Sequence, residues 1–247
     1  MYSTLSKYYD YVFPAGKAQI SFFKALFKSG HVSGVLDIAC GSGSYALEFS
    51  SWGIKVVGID YEPEMVELAR SKARTAGLTA DFRQGDMRDL SGLPENFDAA
   101  LCIGNSIVHL VSKEDLRQSL QETNRHLRQG GIYVIQTVNY DRILKYRLTS
   151  LPEIRNEEQG LTFTRDYLIK SNDLIEFITS LKIDGPDGPQ IVHRGSVNLR
   201  PLTANRLTAA LEKAGLVTEQ LYGGFDQSAH TIDSPATVVV ARKKKQA

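Results

Sequence analysis

The segment Val35–Gly43, with the sequence VLDIACGSG, constrains the fold of this chain more than any other. It opens with a short apolar run that carries one acid, Asp37, and it ends in two glycines, Gly41 and Gly43, before a helical pattern at 45–52. Glycine permits a tight turn and lets the backbone come close to a ligand. A buried strand that turns at glycines into a helix begins a parallel α/β fold, so we expect a ligand site directly after this strand.

Strand and helix patterns alternate through residues 35–140, which is typical of a doubly wound parallel sheet. Four further strands are predicted, at 55–60, 80–83, 97–103 and 132–138. The helix after the second strand has Pro63 near its start and Gly77 at its end. Ser112 begins the sequence SKED, which resembles a capping box. It opens a helix that we expect to end at the glycine pair 130–131.

The pattern changes after residue 140. Three strand-length segments follow, at 161–170, 174–183 and 190–199. Apolar residues alternate in the second of them, and turn residues separate all three, so we expect an antiparallel sheet inserted into the parallel one. Thr203 then caps a helix, and two final strands at about 216–222 and 236–242 close the chain as a hairpin. The predicted fold class is therefore α/β, with a doubly wound sheet and an inserted antiparallel β-sheet.

Acidic side chains at the ends of the predicted strands indicate which ligand binds. The glycine pattern alone also fits the dinucleotide fingerprint. Asp37 would repel a pyrophosphate, but it suits the ammonium and sulfonium groups of S-adenosylmethionine. Asp60 ends the second strand, where a carboxylate can accept both ribose hydroxyls of either cofactor. Asp86 follows the third strand and can accept a hydrogen bond from an adenine amino group.

Together, these three acids and two glycines resemble the signature of the class I S-adenosylmethionine-dependent methyltransferases across roughly residues 30–140. The resemblance implies a seven-stranded Rossmann-like sheet whose last strand is antiparallel. It also implies S-adenosyl-L-methionine as the cofactor and S-adenosyl-L-homocysteine as the product. One departure is Ala39, where many members have glycine. The cofactor-binding residues that we predict are Asp37, Ala39, Gly41, Gly43, Asp60, Tyr61, Met65, Asp86, Met87, Ile103 and Gly104.

Two segments narrow the resemblance: FDAALCIGNSIVHL at 97–110 and GGIYVIQTVNYDRIL at 130–144. They are similar to the glycine and sarcosine N-methyltransferases, which share the phrase L/I-G-N-S-x-x-H-L, a later N-Y-D and an antiparallel insertion. Amino-sugar N-methyltransferases have a similar layout, including a GDMRD segment like residues 85–89. The resemblance implies in-line methyl transfer to a small molecule, with an amine nitrogen as the expected acceptor.

One mismatch concerns the substrate. In the animal glycine enzymes, the residue before N-Y-D is an arginine that grips the substrate carboxylate, whereas this chain has Val138. Burying a carboxylate without a guanidinium partner costs free energy, so glycine itself is disfavoured. An arginine of the insertion is the alternative partner, and the candidates are Arg142, Arg147, Arg194 and Arg200.

On the acceptor side, Asn105 and His109 are the main polar candidates. Asn105 can hold a substrate amine or carboxylate, or serve only as a turn residue. His109 has an ordinary pKa near neutrality and can take a proton from an ammonium, or it can bond to backbone at a helix start. In the lid that the resemblance implies, Tyr9 and Tyr11 suit a methylammonium group through cation–π attraction, or they pack an amphipathic helix. We predict His109, Asn105 and Tyr11 as catalytic, and these with Tyr9 as substrate-binding.

The predicted domain organisation is a lid helix at 1–30, a catalytic domain formed by 31–140 with 201–247, and an insertion at 141–200 that covers the active site. Residues 242–245 form a basic cluster, which we interpret as a solvated tail because it stands alone.

Composition excludes several other functions. The chain has 29 Lys and Arg against 28 Asp and Glu, a net charge of +1 that argues against binding a phosphate backbone. Nucleic-acid amino-methylating enzymes carry an N/D-P-P-Y/F motif after the fourth strand, where this chain has IGNS. No apolar run approaches the ~20 residues of a membrane span. The five histidines are scattered, which predicts no metal site.

These features predict a cytoplasmic monomer or homodimer that binds no membrane and no nucleic acid. Two other classes remain open. One is an NAD-dependent oxidoreductase, which would require a second nucleotide-binding half after residue 140. The other is a non-catalytic S-adenosylmethionine-binding protein.

Overall fold

Residues 6–185 and 188–244, which the computed structural model describes, form two β-sheets with helices packed around the larger one. The helices and strands are, in chain order, α1 (Tyr9–Val12), α2 (Lys17–Gly30), β1 (Gly34–Ile38), α3 (Ser44–Ser51), β2 (Lys55–Asp60), α4 (Pro63–Ala76), β3 (Ala80–Gln84), β4 (Phe97–Cys102), α5 (Lys113–His126), β5 (Leu127–Val138), α6 (Tyr140–Tyr146), β6 (Ser150–Asn156), β7 (Leu161–Ser171), β8 (Leu174–Ile183), β9 (Gln190–Leu199), α7 (Ala204–Lys213), β10 (Leu216–Tyr222) and β11 (Ala236–Lys243). Residues 1–5 of the predicted lid and Lys245 of the basic cluster lie outside the described residues.

The larger sheet has seven strands in the order β10-β11-β5-β4-β1-β2-β3. Strands β1 to β5 are parallel, and β11 runs antiparallel between β5 and β10. The α/β class and the seven-stranded sheet are confirmed. Because β1 lies between β2 and β4, the chain reverses its direction of winding beside β1. In open α/β sheets, ligands bind at such a point, outside the carboxyl ends of the strands.

The parallel strands are buried on both faces, which explains their nearly continuous apolar sequences. In β1, Val35 and Leu36 are fully buried and contribute to the two separate apolar layers that cover the sheet. One layer includes an aromatic group in which Phe27 of α2 lies edge-on to Phe49, with ring centroids 5.0 Å apart. This packing fixes α2 against the sheet and so positions the chain that precedes the site.

Several helix boundaries follow the sequence signals. Gly77, with φ of 63°, ends α4, and the Ser112 hydroxyl accepts a hydrogen bond from the backbone N–H of Asp115 at 2.9 Å. The expected end of α5 at residues 130–131 is wrong: the helix ends at His126, and Leu127 already begins β5. Leu127 pairs with Phe97 of β4, so pairing between strands overrides the local glycine signal.

The second sheet is antiparallel, with the order β6-β7-β8-β9. Its last three strands are those predicted from the sequence. Strand β6 and helix α6 were not predicted. β6 carries Pro152 and charged residues at 153 and 155, so its sequence lacks the apolar alternation that indicates a strand.

We predict that Gly43→Ala destabilises the protein by roughly 2–4 kcal/mol. Gly43 has φ of 75°, and a Cβ there would lie 2.6 Å from the Phe82 ring and 2.9 Å from Cβ of Ala69. The left-handed conformation costs about 1 kcal/mol and overpacking adds about 1–3 kcal/mol. Chemical denaturation measures the change. Gly53→Ala is the matched control, because Gly53 has φ of 82° but open space around it, so it should lose only about 1 kcal/mol. Equal losses in both variants would contradict the packing argument.

Candidate active site

A cavity of about 650 Å³ lies at the carboxyl ends of the parallel strands, between them, α1 and the second sheet. This volume is in the usual range for small-molecule sites. Most of the residues predicted from the sequence line it, namely Tyr9, Asp37, Ala39, Gly41, Asp60, Tyr61, Met65, Asp86, Met87, Ile103, Gly104, Asn105 and His109. The fold thus brings the proposed cofactor and acceptor residues into one space.

Two of the proposed site residues, Tyr11 and Gly43, are not among those that line the cavity. The Tyr11 side chain is 47% exposed. Helix α1 is a single turn, and Tyr9 and Val12, three residues apart, take its cavity side, so residue 11 points away. Gly43 lies between the lining residues Ser42 and Ser44 but not in the lining itself, and its lack of a side chain leaves room for Phe82. Tyr11 is therefore exposed outside the cavity in this structure, and its catalytic role stays a prediction.

Asp60 fixes the glycine turn. Its Oδ2 accepts a hydrogen bond from the backbone N–H of Gly41 at 2.7 Å, and its Oδ1 accepts from Glu62 N–H at 3.0 Å. Gly41 has φ of 55°, and an added Cβ would meet the Tyr9 ring at 3.1–3.3 Å. Ala39 also has a positive φ, 58°, which explains physically why glycine suits this position. Burial raises the pKa of Asp60, although these two N–H donors act in the opposite direction.

Asp37 is buried, with 3% of its surface exposed. Burial, and after it the nearby Asp60 carboxylate, raises the pKa of Asp37 to about 8. Neither contribution comes from a cation, so the carboxylate lacks the charge partner that a buried acid usually has. A ligand that brings a positive charge would supply it and stabilise the ionised acid, whereas a pyrophosphate would disfavour the ionised form. The site therefore fits the ammonium and sulfonium of S-adenosylmethionine.

Asp86 is held differently from the other two acids. Both of its oxygens accept hydrogen bonds from Arg88, with Nη2 to Oδ2 at 2.5 Å, and Arg88 also contacts Asp115 at 3.2 Å. These bonds lower the pKa of Asp86. Arg88 lines the same cavity and was not predicted as a site residue. Asp86 is therefore ionised, and an adenine amino group would share it with Arg88.

Asn105 connects the end of β4 to β5 and α6. Its backbone has φ of 69°, a conformation that asparagine tolerates better than most residues. The side-chain oxygen accepts from Val138 N–H at 3.2 Å, and the amide nitrogen donates to the Tyr140 hydroxyl at 3.1 Å. Asn105 therefore combines the turn role and a position on the cavity wall.

His109 ends a 3₁₀ helix, Ile107–His109, and its ring is exposed to the cavity. Protein atoms nevertheless surround much of the ring, and this desolvation lowers the pKa of His109. The imidazole is therefore neutral at pH 7 and has a nitrogen lone pair available to accept a proton.

The N-terminal segment is fastened over the glycine turn by Asp10. Its carboxylate accepts hydrogen bonds from Lys72 Nζ at 2.6 Å and Ser44 Oγ at 3.1 Å, and it also contacts Ser42. Tyr9 lies next to Gly41, and Phe13 lies edge-on to Phe163 of β7, with centroids 5.3 Å apart. Helix α1 thus joins the glycine turn to the second sheet and closes one side of the cavity.

The second sheet forms the wall on the other side. Alternate residues of β7 face the cavity, since side chains two apart share a face of a strand: Phe163, Arg165 and Tyr167. None of the four arginines named from the sequence lines the cavity, namely Arg142, Arg147, Arg194 and Arg200. Arg165, which sequence reasoning missed, does. The alternation of β7 was visible in the sequence, but which of its faces meets the site was not.

Comparisons with known proteins agree with this geometry. Residues 35–131 match the family of methyltransferase domains. A glycine/sarcosine N-methyltransferase of Aphanothece halophytica is 28% identical over 90% of this chain and 80% of that protein. Another, from Parasynechococcus marenigrum, is 35% identical over 52% of this chain, and the chain spans only 46% of its length.

A dTDP-3-amino-3,6-dideoxy-alpha-D-glucopyranose N,N-dimethyltransferase of Streptomyces fradiae is 26% identical over 79% of this chain and 74% of that protein. The fold matches that of an S-adenosylmethionine-dependent methyltransferase from Clostridium acetobutylicum with a TM-score of 0.83, at 16% identity over 98% of this chain and 99% of the other.

Residues 35–131 therefore match a methyltransferase domain, and the chain as a whole is similar in sequence and fold to S-adenosylmethionine-dependent methyltransferases. This similarity favours the methyltransferase over the NAD-dependent oxidoreductase. Within residues 6–185 and 188–244, no helix combines the length and the apolar character needed to cross a bilayer. The same residues contain no group of three or more His, Cys, Asp or Glu side chains placed to hold a metal ion.

We predict that affinity for S-adenosylmethionine rises with pH between about 6 and 8, by up to about tenfold per pH unit. Without ligand, Asp37 is mostly protonated below its pKa of about 8, and a cationic ligand binds the ionised form. Calorimetric titration at several pH values, in buffers of different ionisation enthalpy, measures the affinity and the released proton. Asp37→Asn should lose both the pH dependence and, at pH 8, at least about 30-fold in affinity. Identical pH profiles for the two proteins would contradict this role of Asp37.

Proposed function

We propose that this chain transfers a methyl group from S-adenosylmethionine to the nitrogen of a small-molecule amine. The observation that carries the proposal is a single cavity with an unpaired buried acid, Asp37, at one side and a neutral imidazole, His109, exposed within it. The names of the relatives, which methylate glycine, sarcosine or an amino sugar on nitrogen, support the same chemistry.

Donor binding is assigned to the edge of the parallel sheet. Asp37 would hold the ammonium group, and Asp60, already fixed by the glycine turn, would accept from the ribose. Asp86 would accept from the adenine, with Met65 and Met87, which both line the cavity, against the ring. When bound, the cofactor supplies a methyl group on a positively charged sulfur, a good leaving group for in-line displacement.

Proton transfer is assigned to His109. At neutral pH most aliphatic amines are protonated, and the nitrogen needs a free lone pair before it can form a bond to carbon. His109 has a lowered pKa and is neutral, so it can take this proton and pass it to water. With the lone pair freed by His109, the acceptor nitrogen would form its bond to the methyl carbon as the carbon–sulfur bond breaks, which would leave S-adenosylhomocysteine as a neutral thioether.

Exclusion of water and alignment of the acceptor are assigned to the lid and the second sheet. Holding two reactants in line can contribute several kcal/mol, up to about 7–11 kcal/mol in favourable systems. The Asp10–Lys72 ion pair and the contact between Phe13 and Phe163 hold the lid closed. We also propose the domain organisation given above, with the insertion at 141–200 covering the acceptor. A cytoplasmic monomer or homodimer that binds neither nucleic acid nor membranes stays a prediction.

Incubation of the protein with methyl-labelled S-adenosylmethionine and a panel of small amines, amino acids and amino sugars tests the reaction. We expect S-adenosylhomocysteine to form together with a product whose label is on nitrogen, as identified by mass spectrometry. Turnover only of hydroxyl or carbon acceptors would overturn the N-methylation. Binding of the cofactor without turnover of any metabolite would instead indicate the non-catalytic binding protein.

For His109→Gln we predict a decrease in kcat of about 10²–10⁴-fold, the usual contribution of a general base. Since the pKa of His109 is lowered below its ordinary 6.5, the wild-type profile of kcat/KM should fall on the acid side of about pH 6.5, and this limb should disappear in the variant. Steady-state kinetics across pH 5.5–9 would show it. His31→Asn is the control, because His31 is exposed at the end of α2 and asparagine tolerates its φ of 51°. An unchanged profile in His109→Gln would remove it from proton transfer.

A further inference from the structure

We propose that Arg165 of β7, with the hydroxyl of Tyr167, binds an anionic group on the methyl acceptor, so that the substrate is an amine that also carries a carboxylate or a phosphate. This inference rests on the proposed function and specifies its substrate class. It assigns a role to two residues that belong neither to the sequence motifs nor to the proposed donor site.

The first observation is the position of Arg165. It lines the cavity from the second sheet, paired in register with Leu151 of β6 and Thr179 of β8, both of which also line the cavity. Its Nη2 donates to the carbonyl of Pro152 at 2.8 Å, which anchors the guanidinium at one corner. The side chain is thus attached to its own sheet by one nitrogen, while the residue borders the ligand space.

The second observation is a pair of unsatisfied donors on this wall. Arg165 Nε and the Tyr167 hydroxyl are buried and have no hydrogen-bond partner among the described residues. Tyr167 is 4% exposed and is held by stacking on Phe177, with ring centroids 5.3 Å apart. Other buried side-chain atoms of the described residues also lack a partner, but these two belong to residues two apart on a strand that lines the cavity. A ligand bound against this wall would offset the cost of leaving them unpaired.

The third observation is the charge of this wall. In residues 6–185 and 188–244 no carboxylate forms an ion pair with Arg165, and Asp166, the adjacent acid, occupies the opposite face of the strand. Burial lowers the pKa of Arg165, which shows how little solvent surrounds it, yet an arginine stays charged in proteins. The cavity therefore has acids for a cationic donor on the sheet edge and, on the opposing sheet, a guanidinium that has no carboxylate partner among the described residues.

Arg165 also provides an alternative to the arginine that Val138 replaces in the motif before N-Y-D. An anionic amine would be held by Arg165 from the insertion instead of by an arginine before N-Y-D. A guanidinium binds carboxylates and phosphates through the same planar pair of N–H groups, so both anions fit the site chemically. Sarcosine is a probe of the first kind, and an amino-sugar nucleotide is a probe of the second.

The experiment compares each anionic probe with a neutral counterpart. We would measure kcat and KM for sarcosine against sarcosinamide, and for an amino-sugar nucleotide against the free amino sugar, in wild type, Arg165→Met, Arg165→Lys and Tyr167→Phe. Arg155→Met is the control, because Arg155 is exposed on β6 and pairs with Glu153 away from the cavity.

We expect wild type to prefer the anionic member of the productive pair by at least about tenfold. Arg165→Met should lower kcat/KM for that member by about 10²-fold, mainly through KM, and change the neutral member by less than about twofold. Arg165→Lys should restore part of the loss because it restores the charge, and Tyr167→Phe should lose about tenfold. S-adenosylhomocysteine affinity should stay the same in every variant. Which pair responds distinguishes a carboxylate from a phosphate.

Two results would overturn the inference while leaving N-methylation intact. One is that wild type turns over the neutral member of a pair as well as the anionic member. The other is that Arg165→Met lowers kcat/KM equally for both members. If no amine turns over, a binding measurement tests the anion site instead. We would then titrate the S-adenosylhomocysteine complex with sarcosine and with inorganic pyrophosphate by calorimetry. Binding that Arg165→Met abolishes would support the anion site although the proposed reaction fails, and no Arg165-dependent binding would reject the site.

Discussion

The burial of two acids at adjacent ends of parallel strands is the constraint on which the rest of the site depends. In the parallel register Asp37 lies beside Gly58, two residues before Asp60, so both carboxylates reach the same edge of the sheet. The Asp60 carboxylate accepts a hydrogen bond from the backbone N–H of Gly41. The pKa of Asp37, by contrast, is raised by burial and by the neighbouring charge of Asp60. A folded protein keeps such an arrangement at a cost in free energy, which a cationic ligand can offset.

The other walls of the cavity carry a charge opposite to that of the acids at this sheet edge. Asp10 attaches the short helix α1 to Lys72 and the glycine turn, so the position of this helix depends on the same loop that borders the cavity. The second sheet contributes aromatic rings and Arg165 from alternate positions of its strands. On the proposed assignment, acids on one side and a guanidinium on the other would match a cationic donor and an anionic acceptor through electrostatic complementarity.

Sequence reasoning failed where tertiary contacts outweigh local signals. The glycine pair at 130–131 indicated a helix end, but pairing of Leu127 with β4 extends the strand backwards through it. Strand β6 lacks alternation and is a strand because β7 offers it a partner. Tyr11 shares its motif with Tyr9, but a single helical turn cannot direct residues two apart to the same side. The first two cases concern where an element begins or ends, and the third concerns which way a side chain faces.

The sequence by itself determined the parallel sheet, the glycine turn and the acids at its strand ends, because each depends on residues close together in the chain: an apolar run, a missing Cβ and a carboxylate directly after a strand. Only the tertiary structure decided which side chains meet across the cavity. Whether Arg165 or Arg194 lines the cavity depends on how the second sheet packs over the first, and a period of two in a strand defines its two faces without saying which is inside.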